Sequence, residues 1–285
     1  MISKEKETTG KELYTIGQVA KMCKVSKKAL RFYEELGIFV PDKVCEENGY
    51  RYYNKETMMF IPIIKYYKQM GFKLQEMEGV KDHSSYFYHE NNFISKLNEL
   101  ELEEQAIKNK HTAVSDWFNL LQEGTMAIQN KIDHVSVKYL DQMSYYYQEQ
   151  DFFFNYKESI INIPWVNSLE SHQCAITGPV ILEFSSYQDK MNQKSKKSCI
   201  LQQPVGKLNF QMDVKDFGGS MFLCAYHIGD HQDIYKQYQK IEDWATEHGY
   251  TCGPEAYERY VIDYWTTKET DKFVTEVLIK ATKSS

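Results

Sequence analysis

The sequence predicts a multidomain α+β protein. It has a helix-turn-helix module at its N-terminal end, a long coiled-coil helix, and an antiparallel α+β domain at its C-terminal end. Three observations predict this organisation. Two short amphipathic helices flank a tight turn in residues 15–35, a heptad repeat occupies 88–122, and strand-like alternation begins near residue 134. A chain of 285 residues is long enough for two domains with separate cores.

The two N-terminal helices have recognisable ends. Thr15 is expected to cap the first helix, with Gln18 completing a capping box, and Ser26 is expected to cap the second. Gly37 supplies the permissive backbone that ends the second helix. The second helix is expected to bury Ala29, Leu30 and Phe32 and to expose Lys27, Lys28, Arg31 and Tyr33. Two helices joined in this way can lay a basic helix into the major groove of DNA.

Charge is unevenly distributed along the chain. The whole chain has a net charge of −6, whereas residues 14–75 contain eleven Lys and Arg against six Asp and Glu. A basic module on an otherwise acidic chain indicates a local phosphate-binding face. The alternative is that Lys27 and Lys28 belong to an ordinary solvated helix face.

The N-terminal module resembles the MerR family of transcriptional regulators. The matching segments are TIGQVA at 15–20, VS at 25–26, ALRFYEELG at 29–37, Pro41, GYRYY at 49–53 and MGFKLQEM at 70–77. The resemblance implies a β-hairpin wing over about Phe39–Tyr53, which makes the module a winged helix-turn-helix. It also implies two supporting helices, at about Asn54–Met70 and Lys73–Val80.

Six residues are expected to contact DNA. Arg31 can grip a phosphate or a guanine with its fork of donors, and Lys28 lies on the same helix face as a point charge. The resemblance favours Arg31, Tyr33, Arg51 and Tyr52 as contacts, and the two tyrosine hydroxyls would bind phosphate without reading sequence. The complete predicted set is Lys27, Lys28, Arg31, Tyr33, Arg51 and Tyr52.

The heptad repeat predicts a dimerisation helix. The repeat positions alternate in steps of four and three, and they are Phe93, Leu97, Leu100, Glu104, Ile107, His111, Val114, Phe118 and Leu121. So long a helix has little to pack on within its own chain, and the family resemblance implies antiparallel pairing in a homodimer. The alternative is a helix buried within one chain. The predicted division is a tail at 1–13, a DNA-binding domain at 14–82, the dimerisation helix at 83–124 and an effector-binding domain at 125–285.

The C-terminal domain is predicted to be a ligand-binding domain of mixed strands and helices. Alternating apolar residues predict strands at 134–140, 175–184, 207–214, 219–229, 256–265 and 272–282. Helical patterns fall near 151–168 and 233–249. Helices interspersed among antiparallel strands are typical of the α+β class.

This domain resembles the GyrI-like effector-binding domains of drug-sensing regulators. The residues that carry the resemblance are those at 225–250, GPEAYERY at 253–260 and TEVLIK at 275–280. Residues 141–205 match less well. The resemblance places Glu258 on a strand facing a central pocket, and Tyr260 lies two residues on, on the same face. The whole chain is most similar to the multidrug-responsive members of the MerR family.

A carboxylate inside an aromatic cavity attracts lipophilic cations through charge and through the faces of the rings. Glu258 and Tyr260 are therefore the first candidates for ligand contact, and the aromatic candidates for the pocket lining are Tyr147, Tyr187, Phe222, Tyr226 and Trp265. The alternatives are that these aromatic side chains pack in the core and that Glu258 is an exposed strand residue.

Several classes of site and location are not expected. The six cysteines include no CxxC pair, and none lies between residues 46 and 173, so neither a metal site nor a cofactor is predicted. The chain shows no apolar run of membrane-spanning length and no signal-peptide pattern at its N-terminus. We therefore expect a cytoplasmic protein.

The combined features favour a ligand-responsive transcriptional regulator that is not an enzyme. By resemblance, a homodimer would bind double-stranded promoter DNA and, with a small-molecule effector bound, activate RNA polymerase by distorting that DNA. One alternative is a GyrI-like hydrolase or drug-sequestering protein fused to a DNA-binding head, in which a pocket Glu acts as a general base. An architectural DNA binder that does not respond to ligands is another.

Overall fold

The computed structural model describes residues 12–77 and 86–284, and it describes side chains from residue 90 onward in the second range. The chain forms two compact units that divide between Glu103 and Glu104. Residues 1–11 of the predicted tail at 1–13, the end of the second supporting helix and the domain boundary at 82 and 83 lie outside the described residues.

The N-terminal unit begins with the two expected helices, α1 (Ile16–Cys23) and α2 (Lys27–Glu35). Thr15 caps α1 within a complete capping box, and Ser26 caps α2, so both sequence predictions are confirmed. The turn between the helices passes through Lys24, whose φ of 51° lies in the left-handed region.

Short strands and two further helices complete this unit. The strands are β1 (Leu13–Thr15), β2 (Lys43–Val44) and β3 (Arg51–Asn54), in the antiparallel order β1-β3-β2. The helices are α3 (Lys55–Met58) and α4 (Phe60–Gln69), followed by a 3-10 turn at Leu74–Met77. The antiparallel pair β2–β3 falls in the segment that was expected to form the wing.

One expectation about α2 was wrong. Tyr33 is only 5% exposed and Phe32 is 42% exposed, the reverse of the predicted arrangement. The period of the helix explains this, because Tyr33 follows fully buried Leu30 by three residues and shares its face, whereas Phe32 does not. The ring of Tyr33 therefore belongs to the core of the unit.

The long helix α5 (Tyr86–Gln129) continues beyond the predicted end of the dimerisation segment at residue 124. Gly124 lies inside it rather than ending it. A Cβ atom on Gly124 would clash with the Ile262 side chain, so the missing side chain lets the helix approach this residue closely.

The C-terminal domain is built on one antiparallel sheet of eight strands. They are β4 (Ser136–Leu140), β5 (Met143–Asp151), β6 (Ile176–Phe184), β7 (Lys197–Pro204), β8 (Val214–Phe217), β9 (Ser220–Ile228), β10 (Tyr250–Ile262) and β11 (Val274–Lys283). The strand order is β4-β9-β11-β10-β6-β7-β5-β8, which places β10 near the middle of the sheet.

Four helices connect these strands. They are α6 (Tyr156–Ile160), α7 (Ile163–Ser171), α8 (Tyr187–Met191) and α9 (Tyr235–His248). The helix predicted at 151–168 is instead the end of β5 followed by two short helices, because Asn155 and Asn162 each cap a new helix start. The helix predicted at 233–249 agrees with α9.

The strand predictions at 134–140, 175–184, 219–229 and 272–282 agree with β4, β6, β9 and β11. The prediction at 256–265 covers only the second half of β10, and most of the stretch predicted at 207–214 is turn rather than strand. There the Asn209 side chain accepts a hydrogen bond from the Gln211 amide, which favours a local turn over strand pairing. Strands β5 and β7 were not predicted.

Candidate functional site

A fully buried carboxylate lies at the centre of the sheet. Glu258 on β10 has no exposed surface, and three donors surround it. The Tyr238 hydroxyl donates to Oε1 at 2.8 Å and the Tyr260 hydroxyl to Oε2 at 2.6 Å. The ammonium of Lys190 on α8 lies 2.7 Å from Oε1. Every partner donates, which is the arrangement that an ionised carboxylate requires.

Aromatic rings enclose the Lys190 ammonium. The distances from Nζ to the ring centroids are 4.8 Å for Phe184, 5.0 Å for Tyr156, 5.3 Å for Phe152, 5.5 Å for Tyr238 and 5.6 Å for Phe154. Nζ also donates to the Tyr156 hydroxyl at 2.6 Å. We call these five rings together with Glu258 the cation cage. Rings within about 6 Å of a cation stabilise it, and the effect is larger where water is excluded.

Burial and charge act in opposite directions on the two members of the pair. Burial raises the pKa of Glu258, but the Lys190 charge and the surrounding donors outweigh it, so the pKa lies below its ordinary value. Burial lowers the pKa of Lys190, and the attraction of Glu258 only partly restores it. Burial and the Glu258 charge also raise the pKa values of Tyr238 and Tyr260 well above their ordinary value, which keeps both hydroxyls protonated as donors.

A cavity of about 360 Å³ opens beside the cage. Lys190, Tyr156 and Phe154 line it on the cage side, and its remaining lining includes His231 and Tyr264. A volume of this size suits a small aromatic molecule. A molecule in the cavity would lie against Tyr156 and Lys190, which both line it.

His231 is buried in this cavity wall as a neutral imidazole. Its ring stacks on Tyr156 with centroids 4.3 Å apart, and Nε2 lies 3.1 Å from the Thr275 hydroxyl. Burial lowers the pKa of His231 from 6.5 to about 4, against an opposing effect of Glu258. Other charged or titratable groups near it are His227, Asp230 and Lys190.

This burial predicts a pH-dependent loss of stability. The unfolded chain binds a proton at His231 below about pH 6.5, whereas the folded chain does so only near pH 4, so the free energy of unfolding falls as the pH drops through that window. The full difference corresponds to about 3 kcal/mol. Plotted against pH, the melting temperatures of wild type and His231→Gln should therefore converge or cross between pH 7 and pH 4. Exposed His248→Gln is the control and should follow the wild-type curve.

Asp263 titrates in the same window with the opposite sign, because burial raises its pKa to about 6. The comparison between variants cancels its contribution, since both proteins contain it. Parallel stability curves for wild type and His231→Gln would contradict a buried neutral histidine.

The structure does not bring the predicted pocket residues together in one pocket. Glu258, Tyr260 and Tyr187 lie on the cage side of the sheet, where the Tyr187 hydroxyl donates to Glu242 at 2.8 Å. Tyr147, Phe222 and Tyr226 lie on the opposite face, as the side-chain alternation along β5 and β9 requires. Trp265 follows β10 and meets Trp117 of α5 edge to face, with centroids 6.4 Å apart.

The opposite face carries its own buried charge network. Arg259 follows Glu258 on β10 and points to the other side, where its Nε donates to Glu276 Oε2 at 2.7 Å and its terminal nitrogen donates to Glu123 of α5. The Tyr226 hydroxyl donates to the same Glu123 carboxylate at 2.6 Å. Burial lowers the pKa of Arg259, but the two carboxylates outweigh it and raise that pKa above its ordinary value. A second cavity of about 470 Å³, lined by Tyr147, also lies on this side.

Lys190 is the central residue that the sequence did not predict. The one available signal is its position in a short helix, three residues after Tyr187 and directly before Met191, in a domain rich in aromatic residues. A lysine among apolar residues is usually found with its ammonium in water, so this pattern alone does not indicate a buried cation.

In the N-terminal unit the predicted DNA-contact residues differ in exposure. Lys27, Lys28 and Arg31 are exposed on α2, and Arg51 and Tyr52 are half-buried on β3. Arg51 Nε donates to both oxygens of Glu34, at 2.8 and 2.7 Å, so β3 is tied to the end of α2. That contact orients the guanidinium beside the basic helix.

Among the side chains described, at residues 12–77 and 90–284, no three His, Cys, Asp or Glu are placed to hold a metal ion together. Across the same ranges, no helix combines the length and apolar character needed to cross a membrane.

Comparison with known proteins identifies both parts of the chain. Residues 14–83 match the family described as MerR HTH family regulatory protein, and residues 143–281 match the GyrI-like small molecule binding domain. The chain is 24% identical to the multidrug-efflux transporter 2 regulator of Bacillus subtilis, over 89% of this chain and 90% of that protein. It is 22% identical to the multidrug-efflux transporter 1 regulator of the same organism, over 94% and 97% respectively.

Among solved structures, a cryo-EM structure of an EcmrR–DNA complex is similar with a TM-score of 0.44 and 17% identity, covering 95% of this chain and 100% of that one. The chain therefore combines a MerR-type helix-turn-helix module at residues 14–83 with a GyrI-like small-molecule-binding domain at residues 143–281.

Proposed function

We propose that this protein is a multidrug-sensing transcriptional regulator that binds promoter DNA as a dimer and activates transcription when a small lipophilic cation binds its C-terminal domain. The observation that carries the proposal is the cation cage, which combines a buried carboxylate with five aromatic rings in a chain that also has a MerR-type DNA-binding module. Two relatives that align over most of their length are named as regulators of multidrug-efflux transporters, which supports the same ligand class.

Activation would use the deformability of DNA. By analogy with the family, the dimer would hold a promoter in a shape that RNA polymerase cannot use, and the ligand-bound form would bend or untwist it. Bending a DNA site of about 20–30 base pairs costs about 1–6 kcal/mol, which protein contacts to the distorted DNA can offset.

An enzymatic role for Glu258 is disfavoured. A general base needs a free lone pair within reach of the substrate. Glu258 instead accepts hydrogen bonds from two tyrosines, is paired with Lys190 and has no exposed surface. Ligand recognition therefore accounts for its environment better than hydrolysis does.

The test begins with selection of bound sequences from a random DNA pool, which yields an operator. In vitro transcription from a promoter carrying that operator is then measured with tetraphenylphosphonium and with tetraphenylborate, which have the same shape and opposite charge. We expect the cation to raise transcription while operator occupancy stays constant, and the anion to have no such effect. Enrichment of no sequence, or equal responses to both ions, would contradict the proposal.

Arg51→Ala should weaken DNA binding by a similar factor on every sequence and reduce its dependence on salt. Neutralising one phosphate fewer lowers the slope of log affinity against log salt by about 0.9. Filter binding at several salt concentrations measures both quantities. Lys68→Ala removes one charge from an exposed position of the same module outside the predicted contacts, and it should leave the slope unchanged. An unaltered slope in Arg51→Ala would remove Arg51 from the DNA face.

A further inference from the structure

The cation cage already contains a cation. Lys190 is only 2% exposed, and its ammonium makes the three kinds of contact that a bound cation would make. It contacts the Glu258 carboxylate at 2.7 Å, the Tyr156 hydroxyl at 2.6 Å and the five surrounding rings. A second cation cannot reach Glu258 while this ammonium stays in place, because the three partners of the carboxylate leave it no exposed surface.

The segment that carries Lys190 is short and lies next to open space. Helix α8 has five residues, and two residues after it the chain passes through Gln193 with a left-handed φ of 57°. Both Lys190 and Gln193 line the 360 Å³ cavity. A lysine side chain has four flexible bonds, so its ammonium can leave the cage for this cavity without displacement of the sheet.

The backbone of Phe154 adds a second sign of a built site. Its φ of 58° lies in the left-handed region, which a bulky residue rarely adopts, and its ring lies over the Lys190 ammonium at 5.6 Å while also lining the cavity. Strained residues of this kind persist where the surrounding structure fixes them, and they concentrate at ligand sites. Phe154 therefore forms the border between cage and cavity.

We propose that Lys190 is an intramolecular ligand of the cation cage, and that a cationic effector binds by displacing its ammonium from Glu258 into the adjoining cavity. The proposal rests on the proposed function and defines its ligand class more narrowly. The exchange keeps Glu258 paired throughout, because one cation replaces another. A neutral molecule of the same shape would leave the buried carboxylate with its two tyrosine donors but without a counter-charge, which is strongly unfavourable.

The exchange also selects among cations. A primary ammonium is strongly hydrated, so Lys190 regains hydration when it leaves the cage. A quaternary or delocalised cation loses less hydration on entering and contributes apolar surface to the five rings. Lipophilic cations should therefore displace Lys190, whereas small hydrophilic amines should not.

The test uses a matched pair of probes, phenyltrimethylammonium and tert-butylbenzene, which differ by one charge at the central atom. Binding to the full-length wild type, Lys190→Ala and Lys194→Ala is measured by calorimetry. We expect Lys190→Ala to bind the cation at least about tenfold more tightly than wild type, because no internal competitor remains. The affinity for the neutral probe should differ much less between Lys190→Ala and wild type. Lys194→Ala, at an exposed position after α8, should match wild type for both probes.

A second measurement follows the lysine itself. In wild type labelled with 13C at lysine Cε, saturation with phenyltrimethylammonium should move the Lys190 signal toward the position of an exposed lysine. A folded Lys190→Ala that binds the cation no more tightly than wild type would overturn the proposal. So would a bound probe that leaves the Lys190 signal in place.

If Lys190→Ala does not fold, addition of n-butylammonium during refolding decides the question. Rescue of the fold supports a cage that accepts a free ammonium, and absence of rescue overturns the proposal. These readouts do not depend on DNA. If the binding tests succeed but no cation changes transcription, the displacement of Lys190 stands and the proposed function is contradicted. If cations change transcription but the binding tests fail, the proposed function stands and the displacement of Lys190 is contradicted.

Discussion

Glu258→Gln is expected to lower the free energy of unfolding of the C-terminal domain by about 3–5 kcal/mol, because it leaves the Lys190 ammonium buried without its counter-charge. The shape of the side chain is nearly unchanged, so the loss reports charge rather than packing. Urea unfolding followed by circular dichroism measures it. Glu247→Gln, on the exposed side of α9, is the matched control and should change stability by less than about 0.5 kcal/mol.

The double variant Glu258→Gln with Lys190→Met makes the test specific. Replacing both members of a buried ion pair with neutral groups of similar volume is often close to neutral for stability. The double variant should therefore recover most of the stability that the single variant loses. Additive losses in a double-mutant cycle would show that the two residues do not act as a pair.

Val114→Asp is expected to abolish dimer formation and, with it, high-affinity operator binding. Val114 is 70% exposed and Ile107 65% exposed on α5 within a single chain, although both occupy heptad positions. Apolar side chains in this pattern favour a partner helix, and a carboxylate buried against that partner would be strongly unfavourable. A monomer would contact only one half-site of an operator.

Sedimentation and operator titration measure the two effects of this substitution. Thr112→Asp introduces the same charge at an exposed position outside the repeat, so it should remain a dimer and bind normally. A wild-type protein that sediments as a monomer at micromolar concentration, or a Val114→Asp protein that stays dimeric, would contradict dimerisation through α5.

The features predicted best from the sequence were those encoded by local patterns. The caps at Thr15 and Ser26 and the amphipathic helix α9 each depend on residues within a few positions of one another. Strand β7 was missed because it runs through five consecutive buried residues, so it lacks the alternation that identifies a half-buried strand. Strand β5 places three tyrosines side by side on both faces, which conceals its period in the same way.

The candidate site was only partly predictable, for a related reason. Glu258 and Tyr260 were placed on one face because their spacing on a single strand decides this. The side on which Tyr147, Phe222 and Tyr226 point depends on the alignment of other strands with β10, which no local pattern records. Lys190 comes to Glu258 from α8, a segment 68 residues earlier in the chain, so only tertiary structure reveals the pair.

The adjacent pair Glu258 and Arg259 has a consequence for how the sheet assembles. In the native pairing, Glu258 lies opposite Val277 and Arg259 opposite Glu276. A slip of β10 by one residue would turn every side chain to the other face, bringing a guanidinium toward the Lys190 ammonium and a carboxylate toward Glu276. Both contacts would bury two like charges together, so the misaligned sheet would be destabilised on both of its faces. The charges of these two neighbouring residues thus disfavour the wrong register of β10 during folding, whether or not a ligand is bound.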